Sequence, residues 1–216
     1  MRFIFLGAPG AGKGTQAERL ASKADILHIS TGEMLRETAK EKSILGDNLR
    51  SLMKDGSLIP DDLMTSILLK RLSEKDAAKG YILDGFPRTS AQAQSLENAL
   101  SENDEKISGV LYFDLTEETA VERLSGRRTC GKCGKNFHSK FDPPKKEGTC
   151  DGCNSLLIQR EDDNEETVRN RMRIYRNKTS ELINHYDNKN LLYKIDAGKS
   201  IKEIETEVDS ITEKLR

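Results

Sequence analysis

Gly7, Gly10, Gly12 and Gly14 follow one another closely, with Lys13 between the last two. Glycines at that density let backbone N–H groups converge on one point, and the lysine adds a positive charge. The pattern is that of a phosphate cradle. Its spacing, G-x4-G-K, fits the phosphate-binding loop that joins a strand to a helix. The residue after the lysine is Gly14, where the common pattern has Ser or Thr, and a hydroxyl arrives one place later at Thr15. That offset leaves open whether a hydroxyl here touches a magnesium ion directly. A second chemistry is carried by sulfur. Cys130-x2-Cys133 is followed, sixteen residues on, by Cys150-x2-Cys153. Two such knuckles offer four thiolates in the spacing of a closed, structural zinc site. That reading is favoured over paired disulfides or free thiols; no cysteine is left over, and His138 reads as a surface or supporting residue rather than a further ligand.

Asp84 closes the apolar run Tyr-Ile-Leu-Asp and is followed by Gly85, Phe86, Pro87 and Arg88. An acid at the C-terminal end of a parallel strand lies where α/β sheets bind ligands. Beside a phosphate cradle it is placed to hold Mg2+, usually through water; the plainer alternative is a cap in a loop. Arg36, Arg88, Arg123, Arg127, Arg160 and Arg171 lie in different segments. Singly, each is ordinarily a solvated surface residue, and no sequence pattern makes them converge. A transferring phosphoryl group would give them a common task, because planar guanidinium groups stabilise its spread charge.

These residues need elements to position them. Strand signals recur at 2–6, 25–29, 80–84, 109–115 and 191–196, separated by stretches of helical period. Such alternation predicts a parallel sheet covered by helices on both faces. Ser30-x-x-Glu33 and Ser200-x-x-Glu203 read as capping boxes, and Asp163-x-x-Glu166 as a close variant. Ile201, Ile204, Val208, Ile211 and Leu215 form one apolar stripe on a final helix. Residues 30–59 read as helices only, and 127–163 hold the cysteines with little regular period; both look like insertions on the α/β core.

At 216 residues the chain accommodates a single core with insertions. One third of it is charged (33%) and only 5% aromatic, with a formal net charge of −1, so no overall basic nucleic-acid footprint exists. No apolar run reaches the ~18 residues of a membrane span. The N-terminus lacks a signal-peptide pattern, which predicts a cytoplasmic protein with neither membrane nor nucleic-acid partner.

Taken in order, GAPGAGKGTQAERL, ISTGEMLR, YILDGFPRT, GRR and QREDDNEETVRNR resemble the adenylate kinase family in its long-lid, zinc-containing form. The resemblance implies a P-loop α/β core (1–29, 60–126 and 164–216), a nucleoside-monophosphate-binding domain (30–59) and a lid (127–163) whose four cysteines hold zinc. It implies phosphoryl transfer from Mg-ATP to AMP by a monomer, giving two ADP. ATP would lie on Gly10, Ala11, Gly12, Lys13, Gly14 and Thr15, with Arg127, Asn136, Phe137 and Lys199. AMP would be held by Thr31, Arg36, Ser57, Leu58, Ile59, Gly85, Phe86, Pro87, Arg88 and Gln92, with Arg160 and Arg171. The catalytic set would be Lys13, Asp84, Arg88, Arg123, Arg127, Arg160 and Arg171, while Asp162 and Asp163 would anchor lid closure. The resemblance also implies a cis Phe86–Pro87 bond, which fits a tight turn. Phe137 stands where family members often have tyrosine, so a ring remains but any hydroxyl contact is lost.

Three rivals fit less well. A UMP or CMP kinase shares the cradle and the DGFPR loop, but the long cysteine segment and Thr31 after Ser30 favour AMP. A zinc-ribbon binding module is opposed by the near-zero net charge and the absence of a basic-aromatic patch. A GTPase is opposed by Gly14 and by the lack of an N/T-K-x-D motif.

Overall fold

The computed structural model describes residues 1–215; Arg216, the end of the last expected core segment, lies outside them. Strand β1 (Arg2–Gly7) is the centre of the molecule, with Phe3, Ile4, Phe5 and Leu6 at most 2% exposed. Side chains alternate across a strand, so Phe3 and Phe5 enter one hydrophobic cluster while Ile4 and Leu6 enter another. A strand buried on both faces must be apolar throughout, which is why this run has no polar alternation.

The other strands of the sheet are β2 (Leu27–Ser30), β3 (Tyr81–Asp84), β4 (Gly109–Asp114) and, at the far edge, Leu192–Asp196. Their order is β2-β3-β1-β4 and then the edge strand, every pair parallel. The five strands match the five signals read from the sequence. Helix α1 (Lys13–Ala24) follows β1 and packs Ala17 and Leu20 on the face holding Phe3 and Phe5. The final helix (Ile201–Lys214) covers the same face with Ile204 and Val208. Its Ser200–Glu203 capping box is formed as expected.

The opposite face is covered by α2 (Thr31–Ala39), α3 (Ile44–Lys54), α4 (Asp61–Leu72) and α5 (Ser90–Ser101), which contribute Leu35, Leu49, Leu68 and Leu96. Helices α2 and α3 are the helical stretch expected between 30 and 59. Helix α6 (Glu117–Ser125) leads into a second sheet made of β5 (Arg127–Cys130), β6 (Asn136–His138) and β7 (Leu157–Ile158), antiparallel in the order β6-β5-β7. The chain returns through α7 (Glu165–Ile174), a π-helical turn (Tyr175–Thr179) and α8 (Glu181–Asp187) to the edge strand, β8, and the final helix, α9.

Two of the cap readings are corrected. Ser30 is the N-cap of α2, but its side chain makes no capping hydrogen bond. Strand β2 runs into α2 with no intervening loop, and Ser30 stays in register opposite Asp84. Asp163 does not cap α7; the cap is Asn164, whose side chain accepts from the Thr167 N–H at 2.9 Å. The Asp163 carboxylate is committed elsewhere, to Arg127.

Candidate active site

The strand order changes direction at β1, since β3 lies on one side and β4 on the other, and such a switch point leaves a crevice at the C-terminal strand ends. Three expected features meet there: the loop after β1, Asp84 at the end of β3, and Thr31 directly after β2. The loop turns through Gly10 and Gly12 at φ 84° and 82°. A Cβ on Gly12 would meet nothing within 4 Å, so that glycine is required by its backbone conformation and leaves the cradle open. Gly14 differs: a Cβ there would lie 3.2 Å from Asp84 Oδ2. The missing hydroxyl of the usual motif thus has a neighbour, the acid that closes β3.

Lys13 bends back over the loop and donates from Nζ to the carbonyls of Gly7 and Ala8, both at 2.8 Å. Loss of water around it, with Arg88, Arg171 and Arg127 facing the same space, outweighs the attraction of Asp84. Its pKa falls from 10.5 to about 8. Asp84 stays below the usual carboxylate range: desolvation opposes ionisation, but His28, Lys13 and Arg88 overcome it. His28 Nε2 stands 3.5 Å from Asp84 Oδ2. Because phosphate needs a charged lysine, the dissociation constant for Mg-ATP is expected to rise as pH climbs through about 8, the value to which Lys13 is lowered. The rise should be at most about tenfold per pH unit and vanish in Lys13→Met. Calorimetric titration between neutral and alkaline pH checks it.

A single cavity of about 900 Å³ runs from this cradle to residues of the segments 30–59 and 127–163. Its walls include Gly10, Gly12, Lys13, Gly14, Thr15, Arg127, Asn136, Phe137 and Lys199 on one side. On the other are Thr31, Arg36, Ser57, Leu58, Ile59, Gly85, Pro87, Arg88 and Gln92. Arg123, Arg160, Arg171, Asp84 and Asp162 lie on the same walls. Of the expected contact residues, Ala11 and Phe86 sit just behind the wall, at 0% and 1% exposure. The peptide bond between Phe86 and Pro87 is cis.

The arginines are brought together by ion pairs and hydrogen bonds from several elements. Arg127 on β5 donates to Asp163, from Nε to Oδ2 at 2.7 Å and again from Nη2 to Oδ1. Arg171 on α7 donates to Asp162 Oδ2 at 2.9 Å. Arg160 reaches into the small sheet, with Nε on Thr129 Oγ1 at 2.9 Å and Nη2 on Asn136 Oδ1 at 2.7 Å. Loss of water, then repulsion from Arg127 and Arg36, lowers Arg160 to about 9. Desolvation likewise lowers Arg36, Arg88 and Arg123. A desolvated cluster of like charges is a standing demand for an anion. Lys199 is exposed and donates to Glu207 Oε2 at 3.0 Å. Phe137 is 5% exposed and packs with Cys130, Cys150, Cys153 and Leu157.

Two contacts that no sequence pattern announces hold Arg88. Thr179, in the π-helical turn, donates from Oγ1 to the Arg88 carbonyl at 2.9 Å. Gln92 Oε1 accepts from the Arg88 N–H at 2.8 Å. His28 likewise lacks a sequence signal, since an isolated histidine in a strand carries none.

The four cysteines are free, and their sulfurs lie within 4.8 Å of one another. Cys130 Sγ is 3.4 Å from Cys153 Sγ, and Cys133 Sγ is 3.6 Å from Cys150 Sγ. A tetrahedral ion with metal–sulfur bonds of about 2.3 Å has sulfur–sulfur edges of about 3.8 Å, so the cluster fits such an ion. The Cys133 and Gly152 N–H groups point at Cys130 and Cys150 sulfurs at 3.5 and 3.4 Å, supporting thiolate charge.

A parallel sheet with a glycine cradle at its switch point, facing gathered arginines, defines a P-loop nucleotide-binding protein. The adenylate kinase family model matches residues 5–191. The adenylate kinase of Archaeoglobus fulgidus is 46% identical over 216 residues, all of both chains. That of Caldicellulosiruptor saccharolyticus is 51% identical over 192 residues, 89% of each, and that of Staphylococcus epidermidis 45% over 215, all of both. The chain belongs to the adenylate kinase family, and with it to the nucleoside monophosphate kinases. Among the described residues, no helix is long and apolar enough to cross a membrane.

Proposed function

We propose that the protein catalyses reversible transfer of the terminal phosphoryl group of Mg-ATP to AMP, giving two ADP. The observation that carries this reading is the convergence of Lys13, Arg36, Arg88, Arg123, Arg127, Arg160 and Arg171 on one cavity. That much positive charge around a single space suits two phosphate chains meeting end to end. The cavity wall from Gly10 to Thr15 takes ATP, and the wall from Thr31 to Gln92 takes AMP. Every group needed comes from one chain, so the reading requires no second subunit.

An oxygen of the AMP phosphate, already anionic at neutral pH, attacks the γ-phosphorus of ATP in line. The new P–O bond forms as the bond to the β,γ-bridging oxygen breaks, and ADP leaves with the electron pair. No proton moves, so no general base is required and catalysis is positioning and charge. Loop N–H groups and Lys13 hold the β and γ oxygens. Arg88 and Arg36 hold the AMP phosphate, while Arg123, Arg127, Arg160 and Arg171 gather on the group in flight. Asp84, ionised and set against Gly14, fits the role of holding magnesium. Bound there with ATP, that ion would neutralise developing phosphate charge.

The segments 30–59 and 127–163 act as a monophosphate-binding domain and a lid on the core made of 1–29, 60–126 and 164–216. Closing them excludes water, which would otherwise take the phosphoryl group; adenylate kinase lids are a standing instance of such closure. The ion pairs of Asp162 with Arg171 and Asp163 with Arg127 support the closed arrangement. We assign the cysteine cluster to Zn2+, which would brace the lid and supply no chemistry. A coupled assay of ADP formation from Mg-ATP with AMP, CMP, UMP and GMP in turn tests the reading. Turnover is expected with AMP foremost; folded, metal-loaded protein without AMP-dependent turnover refutes it.

A further inference from the structure

Asp61 opens α4, well away in sequence from the loop after β3, yet its carboxylate holds that loop from outside. Oδ1 accepts from Gln92 Nε2 at 2.7 Å, and Oδ2 accepts from Thr89 Oγ1 at 2.9 Å. Gln92 is 2% exposed and lines the cleft. Its Oε1 accepts from the Arg88 N–H at 2.8 Å. A carboxylate accepts and a backbone N–H donates, so these two neighbours decide which end of the Gln92 amide is nitrogen and which is oxygen. With Oε1 held by the Arg88 N–H and one N–H held by Asp61 the amide cannot flip, and the second N–H is the donor that this fixed orientation offers the cleft.

We propose that Asp61 is a positioning residue that sets base selectivity: it holds Gln92 as a hydrogen-bond donor toward the monophosphate, selecting a purine edge that accepts over one that donates. The proposal rests on the reading of this wall as the AMP site. Adenine presents a bare N1 acceptor, whereas hypoxanthine and guanine carry a proton at N1 and would set donor against donor. Dry, mispaired polar contacts are how a site built on hydrogen bonds rejects near-isosteres. Without an acceptor at position 61 the amide keeps only the Arg88 N–H to orient it, its nitrogen is no longer held in place, and the selectivity falls. An asparagine there retains it, because its oxygen accepts from Gln92 while its N–H donates to Thr89 Oγ1.

The test measures AMP and IMP binding by titration calorimetry, with turnover followed separately, in the wild type, Asp61→Ala and Asp61→Asn. The AMP-over-IMP preference is expected to fall about tenfold in the alanine variant and to persist in the asparagine variant, with the KM for ATP unchanged in both. A folded alanine variant whose preference stays within about twofold of wild type overturns the proposal. So does an asparagine variant as indiscriminate as alanine, since charge rather than an oriented acceptor would then be at work. Asp61→Leu, closer in volume, serves in place of alanine if that variant does not fold. Because the preference is read from binding, a wild type that bound AMP without transferring phosphate would refute the kinase reading and leave this result legible.

Discussion

Replacing Lys13 with methionine is expected to lower AMP-dependent turnover about a thousandfold while the fold survives. The size of the effect follows from where the charge sits. Water is already stripped from the ammonium, which lies among Arg88, Arg127 and Arg171 and is lowered to about 8 by that environment. In such a medium one charge aimed at phosphate counts for far more than it would on the surface. Methionine keeps most of the stem and removes the charge. The Gly7 and Ala8 carbonyls, which accept from Nζ at 2.8 Å, lose that donor, at about 1 kcal/mol each. Relief of the desolvated cation offsets part of this. The melting temperature should therefore move little while kcat/KM collapses, and thermal melting run beside the coupled assay separates the two. A variant retaining a tenth or more of wild-type turnover would mean that the cradle does not carry the reaction.

Stripping the metal from the cysteine cluster is expected to lower the melting temperature by about 10 °C. The physical reason is the size of what the cysteines support. Around β5, β6 and β7 the buried apolar contacts reduce to Cys130, Phe137 and Cys150, with Cys153 and Leu157 packed at the side. A unit this small does not stabilise itself by burial and needs a staple. A structural ion present at about a thousand times its dissociation constant contributes about 4 kcal/mol, and a chain of this size loses about 2–4 °C for each kcal/mol. The parallel sheet has its own two clusters, so the small sheet should melt first and the P-loop should keep its affinity for phosphate far better. Superimposable melting curves for metal-loaded and verified metal-free protein would contradict this, and Cys150→Ser is expected to reproduce the metal-free curve.

The parts legible in the sequence are those written in local pattern. The apolar run from Phe3 to Leu6, the glycines around Lys13, the paired cysteines and the Ser200–Glu203 cap each depend on neighbours a few residues away, and each is present in the structure. The parts not legible depend on what the fold brings near. Asp163 reads as a helix cap until Arg127, 36 residues earlier, claims its carboxylate. The three strands of the small sheet are too short and polar to carry a period of two. No spacing announces that Asp61 and Gln92 meet, that Thr179 holds the Arg88 carbonyl from 91 residues away, or that His28 stands beside Asp84. The convergence of the arginines belongs to this second kind: the chemistry suggested a reason for it, and only the packing of segments distant in sequence around one cavity supplies the means.

In the proposed reaction the terminal phosphoryl group of ATP passes to AMP inside one closed cleft. Following ATP labelled in its γ-phosphate, with AMP and magnesium present, tests this transfer. The label is expected in the β-phosphate of ADP formed from AMP, with little released as inorganic phosphate. Label recovered as inorganic phosphate while AMP stays unphosphorylated would contradict this reading, and would mean that the gathered arginines serve hydrolysis rather than transfer.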